Sequence, residues 1–205
     1  MDSSLIRRLL RPGRDAEEQI ALIVGLGNPG PEYVSNRHNV GFQTLDLLAA
    51  RHGLRFDQRQ HHARLTRGQI AGHPVLLAKP LTYMNLSGRA VSAVVSRRKV
   101  DVSRLLVVLD DLDLALGVLR LRPSGGHGGQ KGLRSIIQSL GTNDFARLRM
   151  GIGRPPGRMD PAAYVLRDFT RAEEPEAAVM RERAAGAIEA WLLEGIDKAM
   201  NRFNG

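Results

Sequence analysis

Two side chains in this sequence have the types that acid–base chemistry near neutral pH requires. They are His38, in Arg37-His38-Asn39, and Asp110, the first residue of Asp110-Asp111-Leu112-Asp113. An imidazole acts as a general base when a second group, usually a carboxylate, holds its tautomer. Asp110 ends an apolar run, Leu105 to Leu109, and could supply that carboxylate if the two segments meet in space. A third polar group, Asn28, follows the apolar run Ile20 to Leu26. On residue types alone, His38 as an ordinary loop or helix-capping residue is the commoner case, so the pairing depends on the fold.

Two glycine-rich stretches invite other chemistries. Gly25-Leu26-Gly27-Asn28-Pro29-Gly30 matches the spacing of a dinucleotide fingerprint after a strand. Pro29 and Pro31 remove N–H donors where a pyrophosphate needs them, and no acidic residue for a ribose hydroxyl ends the next strand candidate. The second stretch, Ser124-Gly125-Gly126-His127-Gly128-Gly129, leads into Gln130-Lys131-Gly132, which lacks the Gly-Lys-Ser/Thr of a P-loop. Its backbone could hold a phosphate at a helix start or could simply form a tight turn. No Gly-x-Ser-x-Gly elbow is present, and His61-His62 has no acidic or histidine partner at helical spacing, so it reads as a solvated hairpin.

The elements that must position these groups follow from hydrophobic periodicity. Ile20 to Leu26 reads as a buried strand and Asn28 to Pro31 as a tight turn. Val40 to Leu54 has helical spacing and is closed by Gly53. Ala63 to Ala71 and Val75 to Ala78 read as a hairpin. A loop from Lys79 to Gly88 enters a helix over Ser87 to Arg98. Leu105 to Leu109, apolar throughout, predicts a central parallel strand. Val118 to Arg122 alternates and places Arg120 and Arg122 on one face, and Arg147 to Ile152 does the same for Arg147 and Arg149. A helix is expected over Gln130 to Leu140, and a short helix with a mobile linker over Asp160 to Phe169. One long helix is expected from Ala172 to Arg202, with a core-facing stripe of Met180, Ala184, Ala187, Ile188, Trp191 and Leu192. The expected fold is a single α/β domain over 20–205, a twisted mixed, largely parallel sheet flanked by helices on both faces. Residues 1–19 read as a tail outside the fold, too interrupted for a secretory signal.

Composition narrows the partners. A formal net charge of +9 favours a polyanion, nucleic acid first. Only four of the 30 basic residues are lysines, and the arginine fork suits phosphate oxygens, although a compositional bias toward Arg would give the same ratio. With no cysteine, there is no disulfide framework, thiol nucleophile or cysteine zinc site, and a reducing cytoplasm is the expected setting. No apolar run reaches the length that spans a bilayer.

Taken in series, Val24-Gly25-Leu26-Gly27-Asn28-Pro29-Gly30, Arg37-His38-Asn39, Met84-Asn85-Leu86-Ser87-Gly88, Asp110-Asp111-Leu112-Asp113, Gly125-Gly126-His127-Gly128-Gly129 and Arg147-Leu148-Arg149-Met150-Gly151-Ile152-Gly153 resemble bacterial peptidyl-tRNA hydrolase over residues 20 to 203. The resemblance implies cleavage of the ester between a peptide and the terminal ribose of tRNA. His38 would be the base on water and Asp110 its orienting partner. Asn28, Tyr33, Met84 and Asn85 would bind substrate, with the asparagine amides donating to a carbonyl oxygen as it gains charge. Arg120 and Arg122 would contact tRNA phosphate. It implies a monomer acting on tRNA, with no metal, cofactor or covalent nucleophile. One position departs: the family's usual Asn is Lys131 here, which keeps a donor and adds charge but loses an acceptor. Lys131 is therefore a substrate-binding candidate, with water positioning in doubt. The alternative is a non-enzymatic RNA-binding relative that assists splicing.

Overall fold

The computed structural model describes residues 20–205, so the expected tail over 1–19 lies outside the described residues. In chain order the elements are β1 (Ala21–Gly25), α1 (Val40–Arg51), β2 (Gln58–Gln60), β3 (Ala63–Ile70), β4 (His73–Pro80), α2 (Ser87–Arg98), β5 (Leu105–Asp111), β6 (Leu119–Arg122), α3 (Lys131–Leu140), β7 (Ala146–Gly151), α4 (Pro161–Val165), α5 (Glu174–Glu194) and α6 (Ile196–Phe203). The strands form one seven-stranded sheet in the order β2-β3-β4-β1-β5-β7-β6. The three central pairings, β4 with β1, β1 with β5 and β5 with β7, are parallel. The three outer pairings are antiparallel. The sheet is mixed, with a parallel centre, as expected.

The run of apolar residues in β1 makes sense in this position because both of its faces are covered. Ala21 and Ile23 point into a core shared with α1, α5 and α6. Leu22 and Val24 point into the opposite core, built with α2 and α3. Alternation in β5 divides its side chains between the same two cores, with Leu106 and Val108 on one side and Leu105, Val107 and Leu109 on the other.

β4 and β5 flank β1 on opposite sides, so the connections around β1 leave in opposite directions along the sheet. The carboxyl ends of strands at such a reversal open onto a crevice. Three segments enter it here: the turn after β1, the loop after β4, and the end of β5. Helix α1 is seated very close to these strand ends. A Cβ added to Gly41 would lie 2.5 Å from the Val108 carbonyl oxygen and 2.6 Å from the Leu26 nitrogen. Only a residue without a side chain permits this approach, and it brings the Arg37–Asn39 turn, one helical turn long, to the end of β5.

Two elements differ from the sequence-based expectation. The single helix over Ala172 to Arg202 is broken into α5 and α6 at Gly195, whose φ of +83° lies where only glycine is comfortable. The break folds α6 back, so that Leu121 N–H donates to Asn204 Oδ1 at 2.6 Å and Asn204 Nδ2 donates to the Leu121 carbonyl at 3.2 Å, which covers the edge strand β6. The short strand β2 was not expected, because Gln-Arg-Gln carries no apolar alternation; it forms by pairing with β3 across the His61-His62 turn. The core stripe of α5 is otherwise as read, with Met180, Ala184, Ala187 and Ile188 fully buried.

Gly41→Ala should force α1 away from β1 and β5. Overpacking of this kind costs about 1–3 kcal/mol, and a thermal melt should show a midpoint several degrees lower together with a loss of any activity that needs His38 beside Asp110.

Candidate active site

Asp110 is the last fully inward residue of β5, and its carboxylate is 3% exposed. An isolated buried carboxylate is expensive, so its partners matter. Its Oδ2 lies 2.7 Å from His38 Nδ1, and its Oδ1 accepts from Gln130 Nε2 at 3.1 Å. With Asp110 ionised, Nδ1 carries the proton and Nε2 is left with a lone pair. The His38 side chain is 12% exposed, and the ring lies on the wall of a cleft of about 860 Å³. Burial is the largest single influence on the imidazole and lowers its pKa. The charge of Asp110 and the hydrogen bond to it together outweigh that, Lys131 opposes them, and the net position is above the ordinary 6.5. The ion pair therefore adds stability below about pH 6.5 that is lost as pH rises through the raised value, whereas the free base exists only above it.

His38 is set by its neighbours on both sides. Asn39 turns inward: its Oδ1 accepts from the Asn28 N–H at 2.8 Å, and its Nδ2 donates to the Asn28 carbonyl at 2.9 Å. Both peptide groups of Asn28 are thus held by one buried amide. Asn28 passes the link on, since its Oδ1 accepts from the Met84 N–H at 2.8 Å. That uses the oxygen and leaves Nδ2 as the group available to a ligand. Arg37 is also buried. Its guanidinium donates to the Asp168 carbonyl and, at 2.5 Å, to Glu173 Oε2, and it lies 4.4 Å from the Tyr164 ring centroid and 5.1 Å from that of Phe169. Asn36 Nδ2 donates to Asp168 Oδ1 at 2.8 Å. The segment from α4 to α5 is thereby fastened directly behind the histidine.

The structure gathers most of the residues singled out in the sequence. Asn28, His38, Met84, Asn85, Asp110 and Lys131 all line the one cleft. Tyr33 sits on a short helical turn, Pro31–Tyr33, and is not among its lining residues. Arg120 and Arg122 lie outside it on the edge strand β6, directly across from Arg149 and Arg147 of β7. The four share one face, but not one state. Arg149 is paired with Asp111, whereas Arg147 is buried and donates to the carbonyls of Phe145, Gly125, Gly126 and Asn143. Burial, with Arg149 nearby, lowers the Arg147 pKa to about 10. Its role is to hold the glycine loop in place, leaving Arg120 and Arg122 facing solvent to different degrees.

Several cleft residues were missed in the sequence. Arg134 stands one turn beyond Lys131 on α3, and Asp160, Pro161, Ala162, Val165 and Leu166 form the far wall. Gln130 is the N-cap of α3 and reaches both Asp110 and Met84 Sδ, the latter at 3.3 Å. Asn39 stood within a quoted motif, and its inward direction gave no sign in the sequence.

The family model described as peptidyl-tRNA hydrolase matches residues 22–205. The chain belongs to this family. It is 51% identical over 183 residues to the peptidyl-tRNA hydrolase of Frankia casuarinae, covering 89% of this chain and 93% of that one. To the peptidyl-tRNA hydrolase of Chloroflexus aurantiacus it is 53% identical over 184 residues, covering 89% and 98%. Among solved structures, the crystal structure of peptidyl-tRNA hydrolase from Acinetobacter baumannii superposes with a TM-score of 0.85 at 38% identity, covering 92% of this chain and 96% of that chain. The mixed sheet is the framework this family member shares with that structure.

Asn39→Ala should leave the two peptide groups of Asn28 without partners, each costing about 1–3 kcal/mol when buried. A urea titration should show that loss, and turnover should fall with it because Asn28 is no longer held.

Proposed function

We propose that the cleft hydrolyses the ester joining the peptide to the terminal ribose of tRNA in peptidyl-tRNA, with His38 as the general base. The observation that carries the assignment of the base is the 2.7 Å contact between His38 Nδ1 and the buried Asp110 carboxylate, which leaves Nε2 free at the cleft wall. His38 Nε2 takes a proton from water, and the water oxygen bonds to the ester carbonyl carbon. The carbonyl oxygen gains negative charge, and the amide groups of Asn28 and Asn85 donate to it. The carbon–oxygen bond to the ribose then breaks, and the ribose oxygen recovers the proton from His38. Asp110 keeps its charge throughout and stabilises the imidazolium while it exists. The leaving group is an alcohol rather than an amine, so the reading needs neither a metal nor a covalent intermediate.

Substrate is held around that centre by parts with different tasks. Met84 lines the cleft at the scissile region. Lys131, where the family's usual Asn would stand, attracts phosphate of the tRNA 3′ end rather than placing the water, and its positive charge also helps keep His38 neutral. Arg120 and Arg122, respectively half-buried and exposed on strand β6 outside the cleft, contact backbone phosphate without reading bases. Amides and phosphate contacts recognise what all peptidyl-tRNAs share. The reading places the protein in the cytoplasm as a monomer. Among the described residues no helix is long and apolar enough to cross a membrane. The alternative of a non-enzymatic splicing relative is not supported, since the relatives carry hydrolase names and the His–Asp pair is assembled.

His38→Ala should retain the melting behaviour of a folded protein and lose roughly 10²–10⁴-fold in kcat on N-acyl-aminoacyl-tRNA, the range that a general base supplies. Equal turnover in the variant would remove the base assignment. In the unaltered enzyme kcat should rise with pH through a limb above 6.5, as His38 gives up its proton. Arg122→Ala should weaken tRNA binding most at low salt and reduce the slope of log affinity against log salt by about 1.

A further inference from the structure

Gln130 uses its amide at both ends. Oε1 accepts from the Leu133 N–H at 2.7 Å, which caps α3. That contact decides which end of the amide is which, because only the oxygen can accept from a backbone N–H. Nε2 therefore faces Asp110 Oδ1 at 3.1 Å and donates to it. The carboxylate has two oxygens and almost no exposure, and its side-chain partners among the described residues are His38 on Oδ2 and Gln130 on Oδ1. A carboxylate held on one oxygen only can rotate about its last bond. Held on both, it presents Oδ2 to His38 in one orientation.

We propose that Gln130 is a positioning residue for the ester hydrolysis, holding the Asp110 carboxylate in the rotation that aligns the His38 imidazole. This rests on His38 being the base, as set out above. The amide suits the position because it offers a donor and an acceptor on one planar group. A carboxylate there could cap α3 but would set a like charge against Asp110, and an apolar side chain could do neither. The donor also draws on the charge of Asp110, so removing it leaves more of that charge to hold the proton on His38. The same first turn of α3 carries Lys131 and Arg134 into the cleft. The start of one helix thus meets substrate and orients the base.

Other charges around the pair are accounted for. Asp111 is tied to Arg149, Asp113 to Arg154, and Asp160 caps α4. Lys131 opposes the effect of Asp110 on His38, and Arg134 lines the cleft beside it.

The test compares Gln130→Ser, a neutral N-cap too short to reach Asp110, and Gln130→Met with the unaltered enzyme and with His38→Ala, measuring kcat and KM against pH and the thermal midpoint. Both Gln130 variants lose the donor to Asp110 and the contact with the uncharged Met84 Sδ, which cannot move a pH limb; only Met also loses the cap. In both, kcat should fall about tenfold with KM within about twofold, and the acid limb should move to higher pH. Only Gln130→Met should lower the thermal midpoint. If the limb depends on His38 but stays in place in both Gln130 variants, Gln130 is a helix cap and nothing more, and the proposal is wrong. If instead the limb persists in His38→Ala, the base assignment fails and the role of Gln130 fails with it.

Discussion

The structure around the cleft depends on compensating one buried negative charge. Asp110 stands at the end of the central strand β5, almost wholly out of water. Withdrawing a carboxylate from water costs several kcal/mol unless hydrogen bonds replace the lost hydration. His38 and Gln130 supply them, and both are brought to Asp110 by helices that start beside the strand ends: α1 just after His38, and α3 just after Gln130. The ionised carboxylate in turn sets the tautomer of His38. One electrostatic requirement thus fixes the position of two helix starts and the protonation pattern of the ring between them.

The turn bearing the histidine is largely buried and is held at each of its residues. Asn36 and Arg37 bond the Asp168–Glu173 segment, His38 bonds Asp110, and Asn39 bonds Asn28. These contacts span 11 to 136 positions of sequence separation. Loops carrying polar chemistry are usually the mobile part of a fold. Here the loop is a junction, so the position of the imidazole is inherited from the sheet and from α5 rather than from its own short turn.

Positive charge is divided by burial into two uses. Arg37 and Arg147 are inside, where one is neutralised by Glu173 and the other donates to four carbonyls. They hold the histidine turn and the glycine loop. Arg120, Arg122, Lys131 and Arg134 keep at least part of their charge toward solvent or the cleft, where a polyanion can reach it. A net charge of +9 is therefore an unreliable measure of the surface offered to tRNA, since the residues that count toward it include structural ones.

Much of the fold was legible in the sequence because the information is local. Continuous apolar runs marked β1 and β5, alternation marked β6 and β7, and helical spacing marked α1, α2 and α3. The break at Gly195 was not legible, since a lone glycine inside a helical pattern is usually tolerated, and here the pull of α6 onto β6 decides it. The six motif phrases in series were enough to show a resemblance to one family, and the ester-cleaving chemistry came with that resemblance; the residue types at His38 and Asp110 alone left their pairing open. Which of them meet was settled only by tertiary structure. His38 and Asp110 are 72 positions apart, and they touch because Gly41 lets α1 lie against the Val108 carbonyl. Likewise the sequence could not separate Arg147 from Arg149, or show Gln130 and Asn39 turned inward. Burial and hydrogen-bond direction are properties of the packed neighbourhood, and no pattern along the chain encodes them.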